Sequence, residues 1–351
     1  MFDHPAFDAH EGVHVFHDEE SGLRCIIAIH STARGPSAGG TRMWNYASGG
    51  DMVTDALRLS QGMSFKNAMA DIPFGGGKAV IWGDSKRDKS EALFEAFGRA
   101  VESLNGAYYT AEDVGISPSD IEIAARETKY AAGLTQEGAP GSGDPSPITA
   151  RGVFMGIKLA AERVFGTSDL SNRSIAVQGV GHVGGYLCDH LAEAGAKLIL
   201  ADVDQASLEA VAKRCDAQIV DKDAIYDVDA DIFSPNALGA IVNPETLSRF
   251  KFKVIAGGAN NQLETFDMGT KLRDAGILYV PDYVINAGGI INVAGELSGE
   301  YTSEWVDKKL VTLMQTLSNV LDVADQSDEP TNAVADRIAR QRIEDAKLSA
   351  R

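Results

Sequence analysis

The chain has 351 residues with a formal net charge of −18 and 44% hydrophobic residues, long enough for two domains with cores of their own. That acidic balance excludes nucleic acid and anionic membrane as partners, because both reward clustered lysine and arginine. No apolar run approaches the roughly 18 residues that a membrane span needs, and Met1 to Glu20 lacks the basic and apolar regions of a signal peptide, so a cytoplasmic protein is expected.

Near the start, His4, His10, His14 and His17 share no helical face and read as surface residues rather than a metal site. Val13, Val15, a turn at Gly22-Leu-Arg24 and the apolar run Cys25 to Ile29 predict a hairpin at a sheet edge. Gly35-Pro-Ser37-Ala-Gly39 matches the G-x-S-x-G pattern of hydrolases. A nucleophile elbow needs a strand before the serine and a helix directly after it, whereas Pro36 precedes this serine and Gly39-Gly40-Thr41 follow, which disfavours a hydrolase.

Asp51 to Gly62 has helical character and leads into Met63-Ser-Phe-Lys66-Asn67. Next, Gly75-Gly-Gly77-Lys78 places a lysine between a triple glycine and the apolar strand Ala79-Val-Ile81. The P-loop spacing is absent, and Ala79 stands where that loop needs a hydroxyl. A helix is predicted over Ser90 to Asn105, with Leu93, Phe94, Phe97, Val101 and Leu104 on one face, Asp88 and Glu91 at capping-box spacing, and Gly106 as its stop. Tyr108 to Gly115 reads as a strand running into a turn that carries Glu112 and Asp113, followed by a helix over about 117–128.

Glycine and proline dominate residues 136–152 and mark the domain boundary. The first domain is expected over 1–140 together with a C-terminal helix at about 326–351, the second over 141–325. After a helix at Arg151 to Phe165, the second domain opens its nucleotide-binding unit with Ile175 to Val177, then Gly179-Val-Gly181-His-Val183-Gly184, then a helical run with Leu187 and Leu191. Strand, glycine turn and helix in that order let backbone N–H groups approach a pyrophosphate at the positive end of a helix. A second strand, Lys197 to Ala201, ends at Asp202, where a ribose-binding acid belongs. Asp202 would repel a 2′-phosphate, and Val203 to Leu208 holds no lysine or arginine to accept one, so NAD is expected over NADP. Further strands near Asp231 to Phe233, Val254 to Ala256 and Ile277 to Val280 alternate with helices, which predicts a doubly wound parallel sheet. Two helices close the chain, at Ser303 to Asp325 and Asn332 to Leu348, the latter expected to pack back on the first domain. Cys25, Cys188 and Cys215 lack metal-ligand spacing and read as reduced and mostly buried.

Lys66, Lys78 and Asp113 are the unusual polar groups of the first half. A nicotinamide cofactor supplies hydride chemistry, and the protein must then hold a small substrate and manage its protons. A lysine beside another cation and buried against backbone can act as a base, a second lysine can hold a carboxylate, and an acid can trade protons with an amine. An α-amino acid presents both a carboxylate and an amine.

The chain resembles the glutamate/leucine/phenylalanine/valine dehydrogenase family, most closely its leucine branch. The resemblance rests on Gly39-Gly-Thr-Arg-Met-Trp44, Gly62-Met-Ser-Phe-Lys-Asn67, Gly75-Gly-Gly-Lys78, Tyr109-Thr-Ala-Glu-Asp-Val-Gly115, Pro145-Ser-Pro-Ile-Thr149, Val177-Gln-Gly-Val-Gly181, Gly258-Ala-Asn-Asn-Gln262 and Pro281-Asp-Tyr-Val-Ile-Asn-Ala-Gly-Gly289. It implies an α/β fold of two domains separated by a cleft, an N-terminal substrate and oligomerisation domain and a Rossmann NAD-binding domain. It also implies an even-numbered homo-oligomer, a dimer or an octamer. By the same resemblance Lys78 is the catalytic base, Lys66 binds the substrate carboxylate and Asp113 handles the amine proton. Gly39 and Gly40 line the substrate site, Thr149 and Asn260 lie near the nicotinamide, and Gly179, Gly181, Val183, Gly184 and Asp202 complete the cofactor site. The implied reaction moves a hydride from the substrate Cα to NAD+. Water deprotonated by Lys78 attacks the resulting iminium, and collapse releases ammonia and a 2-oxo acid. The side-chain pocket implied by the family is Ala38, Ala111, Ile290 and Val293, all apolar, which disfavours glutamate. Ala38 departs from the leucine branch, where the residue is commonly larger, and from the phenylalanine branch, where it is smaller. Aromatic substrates therefore stay open beside branched aliphatic ones.

Overall fold

A computed structural model describes residues 1–134 and 144–349. The first part of the glycine- and proline-rich boundary stretch, including Gly138, Pro140, Gly141 and Gly143, lies outside the described residues. The chain forms two compact units, one from Met1–Asp144, Ile290–Asp307 and the residues from Ala339 onward, the other from Pro145–Gly289 and Lys308–Ile338.

In the first unit, β1 (Gly12–Asp18) and β2 (Leu23–Ser31) form the expected hairpin, and β1 is an edge strand. They are followed by β3 (Ser37–Ala38), β4 (Thr41–Trp44), α1 (Gly49–Met69), β5 (Gly75–Trp82), α2 (Glu91–Glu102), β6 (Tyr108–Tyr109) and α3 (Pro118–Ala124). The strands make one mixed sheet in the order β1-β2-β5-β3-β6, with β4 also paired to β5. Side chains alternate across a sheet, so Ala79 and Ile81 of β5 join the cluster with Leu93, Phe94 and Phe97 of α2. Val80 instead meets Met52 and Ala56 of α1. Lys78, two residues from Val80, therefore lies on the α1 side of the sheet.

The glycines of β5 let α1 and the neighbouring strand β2 pack closely on it. A Cβ at Gly76 would come within 2.0 Å of the Ser64 nitrogen, and one at Gly75 within 2.0 Å of the Ser31 carbonyl oxygen. Only bare backbone fits between helix and strand. Behind α1, Ser64 Oγ and His30 Nδ1 are 2.8 Å apart, and His10 Nε2 lies 3.1 Å from both the Leu57 carbonyl and Ser60 Oγ. Burial pushes His30 down to about 4. His10 is thus a buried residue and not the surface histidine expected, because its ring partners stand on a helix some fifty positions away.

Three local expectations shift. The helix that begins near Asp51 continues through Lys66 to Met69, so Lys66 stands in its last turn. Ser90, and not Asp88, caps α2 by accepting the Leu93 N–H at 3.1 Å, while Asp88 accepts the Asp84 N–H. The helix after Asp113 ends at Ala124.

The second unit begins with α4 (Ser146–Phe165) and alternates β7 (Ser174–Gln178), α5 (His182–Glu193), β8 (Lys197–Ala201), α6 (Gln205–Cys215), β9 (Gln218–Ile219), β10 (Ile232–Pro235), α7 (Pro244–Leu247), β11 (Val254–Ile255), α8 (Met268–Asp274), β12 (Leu278–Tyr279) and α9 (Asp282–Ile285). All six strands run parallel in the order β12-β11-β10-β7-β8-β9. This is the doubly wound sheet read from the sequence, and its strand order reverses between β7 and β10, where such folds bind ligands.

The remaining helices are α10 (Gly288–Ser298), α11 (Ser303–Ser327) and α12 (Thr331–Ser349). Unit membership departs here from the sequence boundaries at 325 and 326. Residues from Ile290 join the first unit, where the Glu296 carboxylate accepts the Gly133 N–H at 3.0 Å. From Lys308, α11 joins the second, because Leu310 and Leu317 lie against Gly152 and Gly156 of α4. The start of α12 stays there too, through Thr331 Oγ1 donating to the Tyr279 carbonyl at 2.6 Å. Its end belongs to the first unit, where Arg340 pairs with Asp8 at 2.7 Å.

Two glycine substitutions are expected to act in opposite directions. Gly76→Ala drives a methyl into the backbone of α1 and is expected to cost about 3 kcal/mol. Gly62→Ala, a helical position with nothing within 4 Å of the added Cβ, is expected to gain about 0.5–1 kcal/mol. Thermal or denaturant unfolding of the two variants beside the parent checks both signs.

Candidate active site

Lys78 and Asp113 meet. Lys78 is buried on β5, and its Nζ donates to Asp113 Oδ2 at 2.5 Å. The glycines around them allow the approach. A Cβ at Gly39 would come within 1.9 Å of the Gly77 carbonyl oxygen, and one at Gly40 within 2.4 Å of the Glu112 carbonyl oxygen and 2.9 Å of Asp113 Cβ. Gly39 and Gly40 therefore let the chain between β3 and β4 lie directly on the strand bearing Lys78 and the turn bearing Asp113.

Asp113 has a second cation beside it. Arg42 Nε stands 3.6 Å from Asp113 Oδ2, while Arg42 Nη1 bonds Asp55 Oδ2 at 3.1 Å and the Tyr46 hydroxyl donates to that same Asp55 oxygen at 2.7 Å. Burial works to raise the Asp113 carboxyl, but the Lys78 ammonium and then the Arg42 guanidinium overcome it and hold the group below its ordinary value. Burial, reinforced by Asp55, pushes the Tyr46 phenol well above its ordinary range.

Tyr108 ties the strands together. Its buried hydroxyl accepts the Ala79 N–H at 3.1 Å and donates to the Gly39 carbonyl at 2.6 Å, so one side chain fixes the residue after Lys78 to the first of the two glycines. Asn67, next to Lys66 at the end of α1, donates to the Gly75 carbonyl at 2.6 Å and the Ala38 carbonyl at 3.3 Å. This bond seats the last turn of α1, with Lys66, on the glycine strand. Ala38 and Ala111 are buried, while Ile290 and Val293 stand half-buried one turn apart on α10. Ser37 is fully buried, with Oγ donating to the Ala107 carbonyl at 2.5 Å, and it sits in a strand and not an elbow. A hydrolase nucleophile has no place there.

In the second unit each glycine of the turn has a separate reason. Gly179 has φ of 91°, a left-handed conformation that favours glycine. A Cβ at Gly184 would come within 2.0 Å of the Gly179 carbonyl oxygen, whereas one at Gly181 meets nothing within 4 Å. The first glycine makes the turn, the second leaves its face open for close approach, and the third seats helix on loop. Among the described residues no side chain caps α5, and its first internal bond is Gly185 N–H to the Gly181 carbonyl at 2.7 Å. The preceding N–H groups are left for an anion. Asp202 follows β8, with Oδ2 accepting the Val180 N–H at 2.6 Å and Oδ1 the Asp204 N–H at 2.9 Å, so the carboxylate is fixed beside the glycine loop. These residues fit a dinucleotide.

Beside them, Val183 lies against Gly258, whose N–H bonds Asn236 Oδ1 at 2.8 Å. Asn286 Nδ2 donates to the Gly258 carbonyl at 3.1 Å and to Asn260 Oδ1 at 2.7 Å. Thr149 Oγ1 donates to the Pro145 carbonyl at 3.1 Å and neighbours Gly289. The structure thus brings Lys78, Asp113, Gly39 and Gly40 together in one unit, and Gly179, Gly181, Gly184 and Asp202 together in the other. Sequence reasoning did not single out Arg42, Asp55, Tyr46 or Tyr108. The structure shows why: Arg42 lies in a strand between two buried residues, Thr41 and Met43, and its partners come from other elements.

The chain is similar to known proteins over nearly its whole length. Residues 10–130 match the family model of the Glu/Leu/Phe/Val dehydrogenase dimerisation domain, and residues 198–350 that of Glutamate/Leucine/Phenylalanine/Valine dehydrogenase. The chain is 48% identical to leucine dehydrogenase of Thermoactinomyces intermedius, over 98% of this chain and 93% of that one. It is 45% identical to phenylalanine dehydrogenase of Bacillus thermotolerans, over 95% of this chain and 88% of that one. Among solved structures, L-tryptophan dehydrogenase from Nostoc punctiforme superposes with a TM-score of 0.84 at 42% identity, over 97% of each chain.

Tyr108→Phe is expected to leave the Ala79 N–H and the Gly39 carbonyl buried without their shared partner, at a cost of about 2 kcal/mol. Denaturant unfolding measures it; a variant as stable as the parent would mean that the hydroxyl does not hold these strands.

Proposed function

The chain belongs to the glutamate/leucine/phenylalanine/valine dehydrogenase family, and from that membership we propose that it carries out the NAD-dependent, reversible oxidative deamination of an apolar L-amino acid, with leucine and other branched aliphatic acids favoured. It is an amino acid dehydrogenase, an oxidoreductase with a small-molecule substrate and a nicotinamide cofactor. The observation that carries the proposal is the pair of Lys78 and Asp113, joined at 2.5 Å with the lysine buried and both groups backed by glycine.

The cofactor, when bound, accepts the hydride from the substrate Cα. The residues of the chain do the rest. Lys66 holds the substrate carboxylate, and Gly39 and Gly40 leave room for the substrate backbone beside the reacting groups. Lys78 holds a water and takes its proton as the water attacks the imine carbon. Asp113, kept ionised by its two cations, accepts and returns a proton at the substrate nitrogen, so that ammonia departs and a 2-oxo acid remains. Gly179, Gly181 and Gly184 would hold the pyrophosphate at the start of α5, with Val183 beside the cofactor, and Thr149 and Asn260 would line its nicotinamide end. Asp202 accepts the ribose hydroxyls, and its charge favours NAD over NADP.

Ala38, Ala111, Ile290 and Val293 form the side-chain pocket, which offers no cation to a second carboxylate and so disfavours glutamate. The preference for a branched aliphatic substrate is supported by the leucine dehydrogenase relative at 48% identity against 45% for the phenylalanine one. The working form is an even-numbered homo-oligomer, and the setting cytoplasmic; no helix among the described residues is long and apolar enough to cross a membrane.

The test is NADH formation from NAD+ across L-leucine, L-valine, L-isoleucine, L-phenylalanine, L-tryptophan and L-glutamate. A branched aliphatic acid is expected to give the highest kcat/KM, with glutamate lower by at least about a hundredfold, equivalent to nearly 3 kcal/mol. A lead by an aromatic acid would move the chain to the aromatic branch, and NAD binding with no turnover of any acid would refute the enzyme mechanism.

A further inference from the structure

A buried base that shares a hydrogen bond with a half-buried carboxylate faces an electrostatic obstacle. Lys78 can accept a proton only when it is neutral, yet its loss of charge leaves Asp113 as a largely desolvated anion without its nearest counter-ion, a costly state. The resting ion pair therefore works against the role given to Lys78, unless another cation stays beside the carboxylate.

Arg42 meets that need. Its Nε lies 3.6 Å from Asp113 Oδ2, the same oxygen that Lys78 Nζ contacts, and this buried Nε makes no hydrogen bond. The donor is in reserve, close enough to attract the carboxylate and free to bond it. The other end of the guanidinium is fixed, because Nη1 bonds Asp55 and Asp55 is itself held by the Tyr46 hydroxyl. β4 pairs with β5 so that Arg42 is opposite Val80, and both side chains lie on the α1 face. Among the described residues, Lys78 from β5 and Arg42 from β4 pair with Asp113, and Asp55 and Tyr46 stand behind Arg42. With Lys78 charged, the four groups Lys78, Arg42, Asp113 and Asp55 sum to zero; with Lys78 neutral, Arg42 is the remaining cation.

We infer that Arg42 is a positioning residue of the reaction, holding Asp113 in place as its standing counter-ion so that Lys78 can release its proton to solvent and serve as base. The inference rests on the roles proposed for Lys78 and Asp113 and adds a residue to them. Arg42 touches neither substrate nor cofactor in this role and acts through Asp113.

The test measures kcat/KM for L-leucine oxidation against pH in the parent, Arg42→Met, Arg42→Lys and Lys78→Ala, with thermal unfolding and NAD binding as folding controls. Without the arginine, Asp113 holds the proton on Lys78 more tightly. The limb on which activity rises with pH is expected to move up by about one pH unit in Arg42→Met, a tenfold loss at any pH on that limb. At pH values above the limb most of the loss is expected to be recovered. Arg42→Lys keeps the charge, is expected to hold the limb within about 0.3 unit of the parent, and covers the case in which Arg42→Met does not fold. An unmoved limb in a folded Arg42→Met, or a limb moved equally by Arg42→Lys, would overturn the inference. Full activity of Lys78→Ala would instead overturn the base assignment itself.

Discussion

Backbone-to-backbone contact between α1 and β5, possible because Gly76 carries no side chain, is the constraint on which the first unit depends. With Ser64 of the helix pressed against Gly76, the strand reaches Lys78 at a depth where water is largely absent and neighbouring charges act strongly. Gly39 and Gly40 repeat the arrangement from the other side. A lysine at the same place on an ordinary strand would be pushed away from Asp113 by the side chains of its neighbours. The glycines are a stability liability in a strand, offset by Asn67 and the His30–Ser64 contact, which bond across this layer, and by Tyr108 from the α2 side of the sheet.

The second unit solves a different problem with the same residue type. At Gly179 the backbone must turn through a left-handed conformation, at Gly184 helix and loop must touch, and at Gly181 the surface must stay bare. Asp202 is fixed by the loop it faces, through the Val180 N–H. Glycine positions in the two units thus mark where another backbone, or a ligand, comes close.

How much could be read in advance followed from how local each cause is. The glycine turn with Asp202 was legible because strand, turn, helix and acid lie within thirty residues and obey one geometry. So was the parallel sheet, whose strands alternate with helices along the chain. Lys78 and Asp113 were legible as unusual polar residues at the ends of apolar runs. Arg42, Asp55 and Tyr108 were not, because their partners come from other elements: Tyr108 meets Gly39 across 69 positions, and nothing in the local pattern signals that contact. His10 failed as a surface residue for the same reason, its burial being made by α1. The placement of Ile290 to Asp307 in the second domain failed because Glu296 meets the Gly133 N–H across 163 positions, a contact that no local pattern reveals.

Chemical rescue of Lys78→Ala by small primary amines bears most directly on the claim that a glycine-backed lysine amine is the base. Removing the side chain leaves a space in which methylamine or ethylamine can stand where Nζ stood. L-leucine oxidation by Lys78→Ala is expected to be nearly absent without amine and to rise with the concentration of its neutral form, while NAD binding stays unchanged. Full turnover by Lys78→Ala with no amine present would contradict the account.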